Sequence, residues 1–382
     1  ISWDRVHGMD NHELWEARRQ GRTALVNFVR QRLHADVLDP DALTIGFARR
    51  FATYKRATLL LSQPERLRAM LLAHDRPVQF VFAGKAHPAD EPGKTMIQNI
   101  EHFARNLDVA HRFVFVQDYD MAVARTMYQG CDVWLNTPRR PLEACGTSGM
   151  KAALNGALNC SIADGWWDEC ADGMNGWVIS SADDDPDPAR RDQREGLNLF
   201  NILEGDVVPT FYDGTPPSRW IARMKHAWTT LGPFVTASRM VKDYTVRLYE
   251  PAAAQSDAFT ANGCAAAIDL ARWKHHVSQQ WAGVRITHFE AEHGKASAHV
   301  ELGSVGAANV SCELVHGPVD ASGVILRPTV EPLGLVDDYG GSARFASSFV
   351  PTAAGSYGVT VRVRANHPSL TNPVETGLIT WV

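Results

Sequence analysis

Residues 131–167, CDVWLNTPRRPLEACGTSGMKAALNGALNCSIADGWW, narrow the range of folds open to this chain sharply. The apolar run 131–136 is bounded by turn-forming residues and too short for a helix, so it predicts a buried strand. A loop of Pro, Gly, Ser and Thr follows, then a helix predicted to begin near Gly149 with Lys151 in its first turn. Gly146, Thr147, Ser148 and Gly149 would present free backbone N–H groups and the positive end of the helix dipole, a place where a phosphate sits readily. That dipole disfavours a lysine, which sets Lys151 apart from an ordinary surface ammonium. A phosphate-bearing aldehyde joined covalently to its amine accounts for both features.

The strand-then-helix unit recurs. Apolar runs at 43–48, 77–83 and 112–117 precede helical patterns, so that strand and helix alternate four times between 41 and 163, and a further strand is predicted at 176–180. This is the order of a doubly wound, Rossmann-like parallel sheet with right-handed crossovers. Residues 1–40 read as a helical lead-in, with Leu14, Trp15, Leu25, Phe28, Val29 and Leu33 on one face. The chain opens on Ile1, without an initiator Met or a signal pattern, and is expected to begin partway into a larger protein, after a missing amino-terminal half. The charged run 181–195 is expected to be a mobile surface loop, and helical segments at 196–204, 216–231 and 234–250 close a domain spanning 41–250. Ala, Gln and Ser at 251–265 suggest a linker. Residues 266–382 are expected to hold one helix (266–282) and a small antiparallel β-sandwich, with strands near 284–291, 296–303, 308–316, 324–331, 343–350, 356–364 and 376–382.

At the end of the first strand stand four cations, Arg49, Arg50, Lys55 and Arg56. Ligands of open α/β sheets bind at that edge, and arginines directly after a buried strand cannot all reach bulk water, so an anion site is predicted. The chain's net charge of -5 argues against nucleic acid as the main partner. No apolar run is long enough for a membrane span. Six scattered cysteines with no C-x-x-C pair suggest neither zinc nor disulfides, and a reducing, cytoplasmic setting is expected. Gly93-Lys94-Thr95 mimics the end of a nucleotide P-loop, but the earlier glycine it needs is replaced by Pro88. Asp164, Asp168 and Glu169 suggest a glycosidase pair, although carboxylates in a Gly/Trp turn more often close loops or bind sugar hydroxyls.

The run Glu143-Ala144-Cys145-Gly146-Thr147-Ser148-Gly149-Met150-Lys151, followed by Asn155-Gly156-Ala157-Leu158, resembles the pyridoxal-phosphate segment of α-glucan (glycogen and maltodextrin) phosphorylases. It looks closest to the bacterial, actinobacterial-type branch. It departs from the common animal form at Cys145, where Ser is usual, and at Ser148-Gly149, where Gly-Asn is usual. Residues 49–56 and Gly84-Lys85-Ala86-His87-Pro88 resemble the same family. The resemblance implies that Lys151 holds pyridoxal 5'-phosphate and that Arg49, Tyr119, Thr147 and Ser148 surround the cofactor phosphate. By the same resemblance Arg50 and Lys55 hold the substrate phosphate, and Glu143, Cys145 and Gly146 contact glucose. The reaction implied is retaining transfer of the terminal glucosyl of an α-1,4-glucan (glycogen or maltodextrin) to inorganic phosphate, giving α-glucose 1-phosphate, with homo-oligomerisation left open.

Two other readings stand beside it. Sugar-nucleotide-dependent retaining glycosyltransferases, of the glycogen synthase kind, also place an Arg and a Lys after the first strand, and a Glu followed eight positions later by a second Glu; here Lys151 takes the later place. The resemblance covers about residues 1–250, the second half of a GT-B-like fold. Because such sites lie between two domains, this chain alone is also readable as a non-catalytic, cofactor-binding half.

Overall fold

The computed structural model describes residues 2–105 and 108–382, and its contacts separate a first unit ending at Val241 from a second, Lys242–Val382. Asp10 starts α1 (Asn11–Leu33) by accepting hydrogen bonds from the backbone N–H groups of His12 and Glu13 at 2.8 and 3.0 Å. The lead-in is therefore one long helix. Five strand–helix steps follow it: β1 (Leu43–Phe51) and α2 (Pro64–Leu72), β2 (Val78–Ala86) and α3 (Glu91–Ala104), β3 (Phe113–Val116) and α4 (Met121–Gly130), β4 (Val133–Asn136) and α5 (Thr147–Leu154), β5 (Leu158–Ile162) and α6 (Trp166–Cys170). β6 (Gly176–Ile179) completes a parallel sheet of order β3-β2-β1-β4-β5-β6.

This is the predicted doubly wound arrangement, with helices covering a sheet whose strands are buried on both faces. Phe47, Phe51, Phe80, Phe82, Phe113 and Phe115 fill the core on one side. Strand β5 was not among the predicted strands, because Asn159 and Ser161 interrupt its apolar run; all five of its residues are nevertheless buried. Strand β1 runs three residues past the predicted end, so Arg49 and Arg50 lie within the strand and alternate across its faces. The run 181–195 is not a free loop: α7 (Pro188–Ile202) starts inside it, and Glu195 is fully buried, accepting from Arg191 Nε at 2.9 Å and from the Ala182 N–H at 2.8 Å. Helices α8 (Val208–Phe211), α9 (Ser218–Val235) and α10 (Ala237–Tyr244) follow.

In the second unit, α11 (Glu250–Gln280) is helical on both sides of a break at Ala261–Cys264, where Asn262, Gly263 and Cys264 take positive φ. The stretch expected as a linker, 251–265, is thus largely helix, since its alanines are strong helix formers. Strands β7 (Arg285–Glu292), β8 (Lys295–Glu301), β9 (Val310–Pro318), β10 (Thr329–Pro332), β11 (Gly334–Asp338), β12 (Ser342–Ser348), β13 (Tyr357–Ala365) and β14 (Ile379–Trp381) form two four-stranded antiparallel sheets, β10-β9-β13-β14 and β11-β12-β8-β7. Val300 and Phe345 from one and Leu314 and Val361 from the other share one core. Among the described residues no helix is long and apolar enough to cross a membrane.

Helix α1 crosses α4 at glycine contacts. A Cβ on Gly130 would lie 2.3 Å from Leu25 Cβ, and one on Gly21 would lie 2.4 Å from the Gln129 carbonyl oxygen. At this crossing the wholly buried Asp132 accepts from Arg22 Nη1 at 2.8 Å and from the Thr44 N–H at 3.0 Å, with Arg18 Nη2 at 3.5 Å. Arg18 also donates to the carbonyls of Gln129 and Asn155 at 2.8 Å each. Removing the one acid strands two buried cations. Asp132→Asn is expected to lower stability by about 3–5 kcal/mol, read as a reduced urea midpoint with the helical signal of the full chain.

Candidate functional site

The loops that leave the carboxyl ends of β1, β3, β4 and β5 meet at one edge of the parallel sheet, the edge where such sheets bind ligands. From β1 comes Arg49, and from the turn after it Lys55, each 8% exposed; from the loop after β4 comes Glu143, also 8% exposed. Lys55 Nζ donates to Glu143 Oε2 at 2.6 Å, and Arg49 Nη1 stands 3.2 Å from the same oxygen. The Arg49 contact is an ion pair without hydrogen-bond geometry, so Nη1 remains a buried donor with no hydrogen-bond partner. Burial pushes the Arg49 pKa down, opposed by Glu143, Tyr54 and Tyr119. The Glu143 backbone is fixed by Asp164 Oδ2, which accepts its N–H at 2.8 Å.

Tyr119 stands at the entry to α4, and burial raises the pKa of both the Tyr119 and the Tyr128 phenols. The Tyr128 ring lies 4.7 Å from Trp134, whose Nε1 donates to Ser148 Oγ at 3.3 Å. Tyr119, Arg125, Tyr128, Lys151 and Asn155 line one cavity of about 540 Å³. Gly146, at φ 92°, is the N-cap of α5 and makes no side-chain cap, so the Thr147 and Ser148 N–H groups open the helix without intrahelical acceptors. Gly149 is needed for the helix to sit against β5. A Cβ there would lie 2.5 Å from Asn159 Oδ1 and 3.0 Å from the Trp166 ring.

The sequence-predicted residues therefore divide. Arg49, Lys55 and Glu143 form one buried cluster; Tyr119 and Lys151 line one cavity, and Thr147 and Ser148 present their backbone at the start of α5. Arg50, on the alternate face of β1, is exposed and has no ion pair among the described residues. Arg56 turns away altogether, donating to Asp192 at 2.7 Å and to the Thr137 carbonyl at 3.0 Å. Helix α5 starts at Thr147, two residues before the predicted start, so Lys151 is its fifth residue and lies beyond the first turn, where the dipole penalty is weak. Cys145 is exposed, its thiol pushed up by burial of part of its surface and by Glu143 and Glu169. Asp168 is tied to Arg140 at 3.0 Å and Asp164 to the Glu143 backbone, which gives both acids structural partners. Tyr128 and Trp134 carried no signal in the sequence, because aromatic residues on apolar faces look like core. Among the described residues no cluster could hold a metal ion.

Two family models match the chain: carbohydrate phosphorylase over residues 8–174 and glycogen phosphorylase C-terminal domain over residues 281–382. The chain belongs to the carbohydrate phosphorylase family. It is 43% identical over 411 residues to a glycogen phosphorylase of Mycobacterium tuberculosis, covering 100% of this chain and 48% of that protein. To a maltodextrin phosphorylase of Thermococcus litoralis it is 35% identical over 396 residues, 99% of this chain and 47% of the relative. A glycogen phosphorylase of Aquifex aeolicus is 41% identical over 266 residues, 65% of this chain and 38% of the relative. This phosphorylase-family chain thus spans about half the length of the first two relatives. The carbohydrate phosphorylase match includes the whole Arg49–Lys55–Glu143 cluster and α5.

Gly149→Ala is expected to force α5 away from Asn159 and Trp166 and to cost about 1–3 kcal/mol, measured as a lowered melting temperature of the full chain.

Proposed function

We propose that this chain is the cofactor- and phosphate-binding half of a pyridoxal 5'-phosphate-dependent α-1,4-glucan phosphorylase. The proposed reaction transfers the terminal glucosyl of glycogen or maltodextrin to inorganic phosphate with retention, giving α-glucose 1-phosphate. One observation carries the reading: two nearly buried cations converge on a single carboxylate at the carboxyl edge of the sheet, in a segment that matches a carbohydrate phosphorylase. A site built to be dry and positive suits oxyanions.

The residues present fit a phosphate-bearing cofactor. Arg49 Nη1 has no hydrogen-bond partner, and the first N–H groups of α5 point away from the helix without acceptors. In the proposed arrangement Lys151 anchors the cofactor, with Arg49, Tyr119 and the Thr147 and Ser148 backbone around its phosphate. When bound, the cofactor supplies a phosphate that exchanges a proton with the attacking phosphate. Lys55 and Arg50 hold that attacking phosphate and offset the repulsion between two anions in a water-poor cleft. Glu143, with Cys145 and Gly146, offers hydrogen-bond partners to glucose hydroxyls. Positive charge that develops at the sugar is met by these fixed anions and dipoles.

The chain covers about half of its relatives, and we propose that the glucan-facing contacts come from the part of such proteins outside the matched span. On this reading the chain binds the cofactor but turns over poorly by itself. The proposed setting is cytoplasmic, where the free thiols at Cys131, Cys145, Cys160, Cys170, Cys264 and Cys312 stay reduced.

Incubation of the purified chain with pyridoxal 5'-phosphate, borohydride reduction and peptide mass mapping is expected to place one pyridoxyl adduct on Lys151. Its absence would favour a sugar-nucleotide-dependent transferase. Phosphate release from glucose 1-phosphate and maltodextrin is expected to be weak with this chain alone; vigorous release would overturn the half-site part of the proposal.

A further inference from the structure

Glu143 Oε2 is shared. Lys55 Nζ approaches it at 2.6 Å and Arg49 Nη1 at 3.2 Å, and all three side chains are at most a tenth exposed. One carboxylate facing two cations leaves the cluster with a unit of positive charge, and Arg49 Nη1 still lacks a hydrogen-bond partner. The Glu143 main chain is tied to Asp164 Oδ2 at 2.8 Å, so moving its carboxylate off Lys55 requires side-chain rotation alone and no shift of the loop.

An inorganic phosphate brought against Lys55 would meet this carboxylate at contact distance, and two anions so close in a poorly hydrated pocket repel strongly. We propose that Glu143 is a resident counter-ion that fills the phosphate seat on Lys55 until an anion arrives, and that phosphate binding displaces it. This inference rests on the phosphorylase reading above. Glu143 then acts twice. It competes with phosphate for Lys55, which lowers anion affinity, and once displaced it has a free carboxylate for a sugar hydroxyl, which makes phosphate and sugar binding mutually favourable.

The test is isothermal titration with inorganic phosphate of the full chain already loaded with pyridoxal 5'-phosphate, so that the cofactor phosphate occupies its own seat. Glu143→Gln keeps the side-chain size and removes the competing charge, and it is expected to bind phosphate about tenfold more tightly than the unaltered chain, about 1.4 kcal/mol. Lys55→Met is expected to abolish that gain when added to Glu143→Gln. Equal or weaker phosphate binding by Glu143→Gln overturns the inference, since a carboxylate that merely props the two cations in position gives that result. Should Glu143→Gln not fold, Glu143→Asp draws the carboxylate back by one methylene with its charge intact; a smaller gain is expected, and no gain overturns the inference equally. Lys151 adduct formation separates the two levels. An adduct with no gain in phosphate affinity refutes only the counter-ion role, whereas no adduct refutes the phosphorylase reading itself.

Discussion

A cation taken out of water must meet a counter-charge, or its burial costs several kcal/mol. The first unit buries three groups of cations and answers each with acids, most of them brought in from distant parts of the chain. Arg18 and Arg22 on α1 close on Asp132 at the start of β4. Arg49 and Lys55 close on Glu143 beyond the end of that strand, 88 positions after Lys55. Arg56, with Arg191 beside it, closes on Asp192 and Glu195 at the start of α7. Each cluster ties together segments far apart in the sequence, so the loops that carry them are held against the sheet. Strand β4 and its following loop are held at both ends, which places residues 143–151 in one position relative to β1.

Behind α5 the same positioning is achieved by shape. Gly146 and Gly149 let the helix start lie against the Trp166 ring and Asn159, whose Nδ2 donates to the Gly149 carbonyl at 3.1 Å. Trp134 reaches from β4 to Ser148 and carries the Tyr128 ring on its other side. The start of α5 is thus wedged between a buried strand and two tryptophans. Its first N–H groups keep a fixed direction, which is what a helix N-terminus needs to act as an anion site.

The parts of this architecture that could be read from sequence are those where one physical signal dominates. Uninterrupted apolar runs at 43–48 and 77–83 mark strands because burial on both faces demands them. Strand β5 escaped because Asn159 and Ser161 are buried polar residues that the tertiary structure satisfies, and no local pattern announces that. In the basic run 49–56, where the sequence suggested that not every cation could reach water, Arg49, Lys55 and Arg56 are buried and Arg50 is exposed, and no local pattern announces how they part company. Arg49 and Arg50 separate through strand alternation, and Arg56 takes a left-handed backbone at φ 47° that sends it to α7. Arg191 and Glu195, four residues apart, look like a solvated helical pair until Arg56 is seen to cover them. In the second unit, the alanine-rich stretch before Ala261 resembles a linker by composition and a helix by propensity, and propensity prevails.

The state of Arg49 and Lys55 also bears on how a ligand would be chosen. Their dehydration is met during folding, against a carboxylate of the same chain, and not at the moment of binding. An arriving oxyanion therefore exchanges one counter-ion for another, and a hydrated monovalent anion has little to offer in that exchange. A phosphate carries more charge and several acceptor oxygens, whereas a single Glu143 oxygen accepts with hydrogen-bond geometry from Lys55 alone. Selectivity in such a cluster follows from the number and placement of acceptor atoms, because the cost of burying the cations is the same whichever anion fills the seat.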